Sequence, residues 1–285
     1  MDLTISIVNY NTREMLDLCL SKIISQRSPI TFEVIVIDNS SSDGSVEMVK
    51  KKYPQVFLVE NNTNRYFSAA HNQAFKHSTG RYFLIMNSDI LITETTLPEM
   101  INFMDRYPDA GAASCIQKDQ SSELWMTCWN FPTVMGVLAT HWIGVHLFPN
   151  SKIRKKAAMT DWDRLSTRSV DVVEDAFMFV RRESFEKLGG YDESLLLYYT
   201  EQDICLRLKH AGWKIYHNSA TWVTHYREFT SNKQSSCEIW RLRRRDMYVY
   251  FKKHHGMIAA SFLYLFYFLD SLIRVPAKYI GKKIK

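Results

Sequence analysis

A glycine-rich phosphate loop is missing from this chain: Asn11-Thr12-Arg13 stands ahead of the first predicted helix. That absence argues against nucleotidyl transfer, which would need such a loop there. Cysteine is sparse and unpatterned, with five residues far apart, odd in number and without C-x-x-C spacing. A disulfide framework, a zinc ribbon and a dithiol redox site are excluded, and a reduced, cytoplasmic chain is expected. The opening MDLTISIVNY enters a strand without the basic and apolar regions of a signal peptide. Long apolar runs are missing too. The run Leu124–Phe148 is broken by Pro132, two histidines, Thr and Asn, and Met257–Leu269 carries about thirteen residues before Asp270. A bilayer span needs about 20. No fixed-period repeat, low-complexity tract or nucleic-acid-binding motif is present, so no nucleic-acid partner is expected.

What is present is basic and unevenly placed. The net charge of +6 is concentrated at Lys152–Lys156, Arg241–Arg245, Lys252–His255 and Lys282–Lys285. Such clusters suit anionic lipid or phosphorylated substrates. From Leu3 to Ile116 short apolar runs alternate with amphipathic segments, the pattern of a mostly parallel α/β sheet covered on both faces. The expected strands are Leu3–Asn9, Phe32–Asp38, Val56–Glu60, Tyr82–Met86 and Ala112–Ile116. Regularity lapses over 117–169, which reads as a lobe forming an acceptor wall, a membrane-facing flap or core. It returns as a strand over Val170–Val180, a helix from Glu201 to Ala211 and two strands, Trp213–His217 and Thr221–Thr224. A basic helix from Gln234 to His255 and an aromatic tail follow. Three parts are expected: a nucleotide-binding half over 1–116, an acceptor and catalytic half over 117–232, and a helical tail over 233–285.

The run FEVIVIDNSSSDGS ends a buried strand at Asp38, where ligands of open α/β sheets gather. Capping of the next helix suits Ser42 or Asp43 better. The same arrangement recurs at YFLIMNSD, where Asp89 offers a hard oxygen to Mg²⁺ or Mn²⁺; an Asx-turn leaving the strand is the alternative. Arg65, just before the small-residue helix start in NRYFSAAHNQAF, can pair with a pyrophosphate. His225 in TWVTHY offers a nitrogen ligand or a packed histidine. In YYTEQDICLRL, Glu201 and Asp203 fall in a first helical turn, where the helix dipole alone would favour them.

Together VNYN, VIDNSSSDGS, NRYFSAAHNQAF, MNSD and the long block Arg181–Ile215 resemble family 2 glycosyltransferases of the GT-A fold, in a bacterial rhamnosyltransferase-like branch. The resemblance spans roughly Leu3 to Ser231. It implies an inverting transfer of a sugar from a nucleotide diphosphate to a hydroxyl, with a divalent cation. By position, Asn9, Asn11 and Asp38 would hold the nucleoside, with Arg65, Asn72, Asn87 and Ser88 also on the donor side. Asp89 and His225 would hold the metal. The family's Glu-Asp-x-Asp cluster aligns with Thr200, Glu201, Gln202 and Asp203, so a glutamate replaces the usual base, with Asp203 as the second choice. Glu174 and Asp175 stand where relatives often carry small residues, and either is an alternative base or an acceptor-side group. The basic helix and aromatic tail imply a lipid-linked saccharide acceptor, such as a polyprenyl-diphosphate sugar, and a peripheral place at the inner face of the cell membrane. A homodimer is a further expectation, and a non-catalytic saccharide- or nucleotide-binding scaffold is the alternative function.

Overall fold

The computed structural model describes residues 1–27, 29–226 and 236–282, with side chains in the last segment described for 237–271. The expected boundary at 232/233, the Gln234 helix start and most of the closing lysine cluster lie outside the described residues. The first half contains β1 (Leu3–Asn9), α1 (Arg13–Ile24), β2 (Phe32–Asp38), α2 (Ser45–Lys52), β3 (Phe57–Glu60), α3 (Tyr66–His77), β4 (Tyr82–Asn87), β5 (Ile90–Ile92), α4 (Thr96–Arg106) and β6 (Ala110–Lys118). The second contains β7 (Cys128–Trp129), α5 (Val134–Thr140), α6 (Trp142–Leu147), α7 (Lys152–Ala158), β8 (Arg168–Val170), β9 (Val172–Val173), β10 (Phe177–Arg181), α8 (Arg182–Lys187), α9 (Thr200–His210) and β11 (Lys214–His225). Two helices close the described chain, α10 (Ser236–His255) and α11 (Met257–Lys282).

The main sheet runs β3-β2-β1-β4-β10-β6-β11-β5, with β8 also on β11. β3, β2, β1 and β4 are parallel, as are β6 and β11, while β10 is antiparallel to both of its neighbours. Its central strands are buried on both faces, so they are mostly apolar, with Thr4 and Ser6 of β1 and Ser114 of β6 buried among them. Ile5, Ile7, Val34, Val36 and Leu84 join Leu16, Leu20, Val49 and Met100 in one core. The alternate residues Ile35, Ile37, Phe83 and Ile85 join Ala70, Phe185, Ile204 and Leu208 in a second. Parallel register sets Asn9 beside Asp38 and Val8 beside Asn87, so the polar ends of β1, β2 and β4 gather at one edge.

Three details depart from the sequence reading. The apolar run Val170–Val180 is not one strand, because its pieces pair with different partners: β8 with β11, β9 with β7, and β10 with β4 and β6. The breaks fall at Asp171 and at Glu174-Asp175, the polar residues within the run. The two strands foreseen around His217 and Thr221 are a single strand, kept in one ladder by a register shift between Asn218 and Trp222 against β6. Within 117–169, three short helices replace the expected irregular chain. Helix α5 starts on Thr133, whose hydroxyl accepts the Gly136 N–H at 3.0 Å.

A third core joins the two closing helices to the body, through Val137 and Leu195 packed with Met247, Tyr250, Phe251, Ala260 and Leu263. The opposite side of α11 exposes Ile258, Phe262, Leu265 and Leu269. No described helix is long and apolar enough to cross a membrane.

Candidate active site

The ends of β1 and β2 are tied together by side chains. Asn9 Nδ2 donates to Asp38 Oδ2 at 2.7 Å and to Ser41 Oγ at 3.0 Å, and Asp38 Oδ1 accepts the Ser41 N–H at 2.8 Å. Asp38 is only 2 % exposed, so its charge is held by this turn. The helix-capping work falls to Asp43, which accepts from the Ser45 and Arg13 N–H groups. Asn11, in the left-handed region at φ 57°, accepts the Ser42 N–H through its side chain. Thr12 donates to Asn9 Oδ1 at 2.6 Å, so Ser88 Oγ, 2.7 Å away, must donate to Thr12. One network thereby reaches from β1 through β2 to the turn after β4. Thr12, Ser41 and Asn39 were not singled out from sequence, although Asn39 and Ser41 lie within a quoted motif and Thr12 directly follows one.

Asn39 links this edge to α3. Its Oδ1 accepts from Asn61 at 3.0 Å and from the Arg65 N–H at 3.3 Å, and its Nδ2 donates to the Tyr66 carbonyl at 2.9 Å. The exposed Arg65 is thus fixed at its backbone, and Tyr66 takes φ 58°. A tyrosine held in that region costs energy that the surrounding contacts must offset. Asn72 is placed differently: it exchanges hydrogen bonds with the Tyr191 backbone at 2.8 and 2.9 Å. Asn87 lies at the end of β4, its N–H bonded to the Ala176 carbonyl at 2.9 Å.

The pairing of β11 with β5 sets His225 opposite Ile90 and therefore beside Asp89. His225 Nε2 lies 3.4 Å from Asp89 Oδ1, and both side chains are buried. On the other side of the ring, Nδ1 lies 2.8 Å from Gln117 Oε1 and 4.0 Å from Glu174. With Gln117 as acceptor, Nδ1 carries the hydrogen and Nε2 turns its lone pair toward the carboxylate. A proton or a cation between the two makes that arrangement favourable. The described residues contain no group of three or more His, Cys, Asp or Glu side chains built to hold an ion. A carboxylate and an imidazole nevertheless fit a Mg²⁺ or Mn²⁺ that takes its remaining ligands from substrate phosphates and water. No local sequence signal marks Gln117.

Glu174 and Asp175 face different groups. Asp175 Oδ2 accepts from Thr200 Oγ1 at 2.7 Å and Tyr191 OH at 3.2 Å, while Thr200 Oγ1 also lies 3.2 Å from Glu201 Oε2. One hydroxyl hydrogen thus serves two carboxylates, and a proton held by either acid completes the network. Burial, reinforced by Glu201, raises Asp175 well above the usual carboxylate range. Burial, reinforced by Glu174, pushes Glu201 up to about 7. Asp203 is held elsewhere: it receives Arg207 at 2.7 Å, and Lys253 and His254 from α10 at 2.8 Å each. The structure therefore brings Asn9, Asp38 and Ser88 into one network, sets Asp89, His225 and Glu174 together, and gathers Asp175 with Glu201.

The doubly covered, mostly parallel sheet with polar groups gathered at its strand ends is consistent with the GT-A type of α/β fold. Residues 4–189 match the model of Glycosyl transferase family 2, and the chain belongs to that family. It is similar to the N-acetylglucosaminyl-diphospho-decaprenol L-rhamnosyltransferase of Mycobacterium tuberculosis, 21% identical over 238 residues, 78% of this chain and 75% of that protein. It is also similar to rhamnosyltransferase WbbL of Escherichia coli, 24% identical over 155 residues, 54% of this chain and 55% of that protein. Among solved structures it resembles the mannosyltransferase PcManGT from Pyrobaculum calidifontis in complex with GDP-Man and Mn²⁺. The TM-score is 0.61 at 18% identity, over 98% of this chain and 75% of that one. The S. aureus TarS 1–349 complex with UDP gives 0.57 at 17%, over 87% and 64%. The chain is a family 2 glycosyltransferase that is similar to rhamnosyltransferases.

Proposed function

We propose that the chain moves a sugar, with rhamnose the first candidate, from a nucleoside diphosphate to a hydroxyl of a lipid-linked saccharide by one in-line displacement with inversion, in cell-surface polysaccharide synthesis. The observation that carries this reading is the adjacent pair Glu174-Asp175, which lies between the Asp89–His225 pair and the Thr200–Glu201 acid group. Asn9, Asn11 and Asp38 hold the nucleoside side, and Arg65 reaches the diphosphate. Asp89 and His225 hold a Mg²⁺ or Mn²⁺, which when bound neutralises the charge developing on the departing diphosphate. Glu201 takes the acceptor proton. Asp203 is disfavoured as base because Arg207, Lys253 and His254 already occupy its oxygens.

The relatives' names support rhamnose and a decaprenyl-diphosphate type of acceptor. The apolar outer side of α11 and the basic residues of α7 and α10 support an interfacial position on an anionic membrane, at its cytoplasmic face. The test is thermal denaturation of the purified protein with dTDP, UDP or GDP, each with and without Mn²⁺. The expected result is a nucleotide-selective, Mn²⁺-dependent rise in Tm, because a ligand that binds only the folded state stabilises it. Asp89→Asn should lose the Mn²⁺ increment. No rise with any nucleotide would remove the donor site, and binding without release of nucleoside diphosphate would leave a scaffold.

A further inference from the structure

Just before the candidate base, residues 194–199 run without regular structure and end at Tyr199, a non-glycine residue at φ 61°. Thr200 and Glu201 follow at once. A segment of this kind leaves backbone N–H groups without ladder partners, and such groups are costly when withdrawn from water. Here a single carboxylate from the far end of the chain meets them. Asp246 of α10 is fully buried, and its Oδ2 accepts the N–H groups of Leu196, Leu197 and Tyr198 at 3.2, 2.9 and 3.0 Å. Its other oxygen receives Arg245 Nη1, which also donates to the Ser194 carbonyl at 2.9 Å. On the opposite edge, the Leu196 carbonyl accepts the Phe67 N–H at 2.9 Å, in the first turn of α3. The loop is thus gripped from α10 on its N–H side and from the donor-side helix on its carbonyl side.

The grip continues along the same helix. Two turns after Asp246, Lys253 and His254 bind Asp203, and Lys253 also reaches Asp192 at 2.6 Å. Helix α10 therefore fixes both the loop that leads into α9 and the first turn of α9 itself, with Glu201 between the two points.

We infer that Asp246 is a positioning residue for the transfer reaction: it holds the Leu196–Tyr198 loop in the form that presents Glu201 to the acceptor. This inference rests on the proposed role of Glu201. It makes the basic C-terminal helix part of the catalytic framework, beyond any role as a surface tail. A misplacement of about 1 Å at a reacting group costs on the order of 100-fold in rate, which sets the size of the expected effect.

The experiment compares full-length wild type with Asp246→Ala and Asp246→Asn by hydrogen–deuterium exchange. It also measures nucleoside diphosphate release from the nucleotide sugar whose nucleotide stabilises the wild type. In Asp246→Ala, exchange should rise over 194–200 and stay unchanged in β1, β2 and β4. The kcat should fall about 10- to 100-fold while the donor KM stays within about twofold. Asp246→Asn keeps an acceptor oxygen and should recover part of the kcat, and it serves as the test should the alanine variant fail to fold. Unaltered exchange over 194–200 overturns the inference, as does faster exchange with an unchanged kcat. Absence of nucleotide binding and release in the wild type defeats the proposed function instead, and the exchange comparison still decides whether Asp246 holds the loop.

Discussion

Glu201 reaches about one bond length further from the backbone than an aspartate would, and Asp175 provides a second carboxylate that shares Thr200 with it. Two acids joined through one hydroxyl favour holding a proton between them, which fits the raised state of both. A base works only when ionised, so transfer should rise as pH passes through about 7 and level off above it. Glu201→Gln should lower kcat by about 100- to 10,000-fold while leaving the nucleotide-dependent rise in Tm intact; full activity in this variant ends the base assignment. The same shift has a stability consequence with a definite sign. The folded state holds a proton on Glu201 that the unfolded chain releases near 4.5. Its contribution is complete below that value and is lost as pH rises toward 7. Glu201→Gln removes this loss, so its Tm should exceed that of wild type at pH 8 and differ little at pH 4, as calorimetry can check.

At the scale of elements, the turn after α8 shows how closely the two halves of the chain meet. Gly190 has φ +80°, and a Cβ there would fall 2.4 Å from Asn72 Oδ1. Gly190→Ala should therefore destabilise by about 1–3 kcal/mol and loosen the bond between Asn72 and Tyr191, seen as a lower midpoint in urea. A midpoint equal to wild type would show that α3 can give way. The strands β1, β2 and β4 were legible in the sequence because each is short, mostly buried and rich in β-branched or other apolar residues. The division of Val170–Val180 falls at Asp171 and Glu174-Asp175, but composition does not record which neighbour each flanking apolar piece pairs with. Strand β5 escaped notice for another reason: three residues are too few for a period to register.

For the whole molecule, the question is what covers the outer side of α11. Ile258 is 90 % exposed, and Phe262, Leu265 and Leu269 continue the same side of the helix. Arg244 stacks on Trp240 and Tyr264 at 4.3 Å from each ring, which places a cation beside this surface. The protein should bind vesicles containing anionic lipid and release from them as salt increases, and Phe262→Ser with Leu265→Ser should weaken binding at least tenfold in a flotation assay. Unchanged binding, or a salt-insensitive dimer that the double variant dissociates, would instead assign the surface to a second copy of the chain. By itself the sequence determined the alternating α/β plan and the identity of the polar strand ends, because buried strands and their turns are written in local composition. It also supplied the carboxylates, as Asp38, Asp89, Glu174, Asp175, Glu201 and Asp203, without ranking them. Only the tertiary structure sorted them: Asp38 into a turn network, Asp89 against His225, Asp203 against α10, and Asp175 with Glu201 around one threonine. A carboxylate's chemistry depends on burial and on which charges and donors surround it. Those neighbours come from strands and helices far apart in the chain.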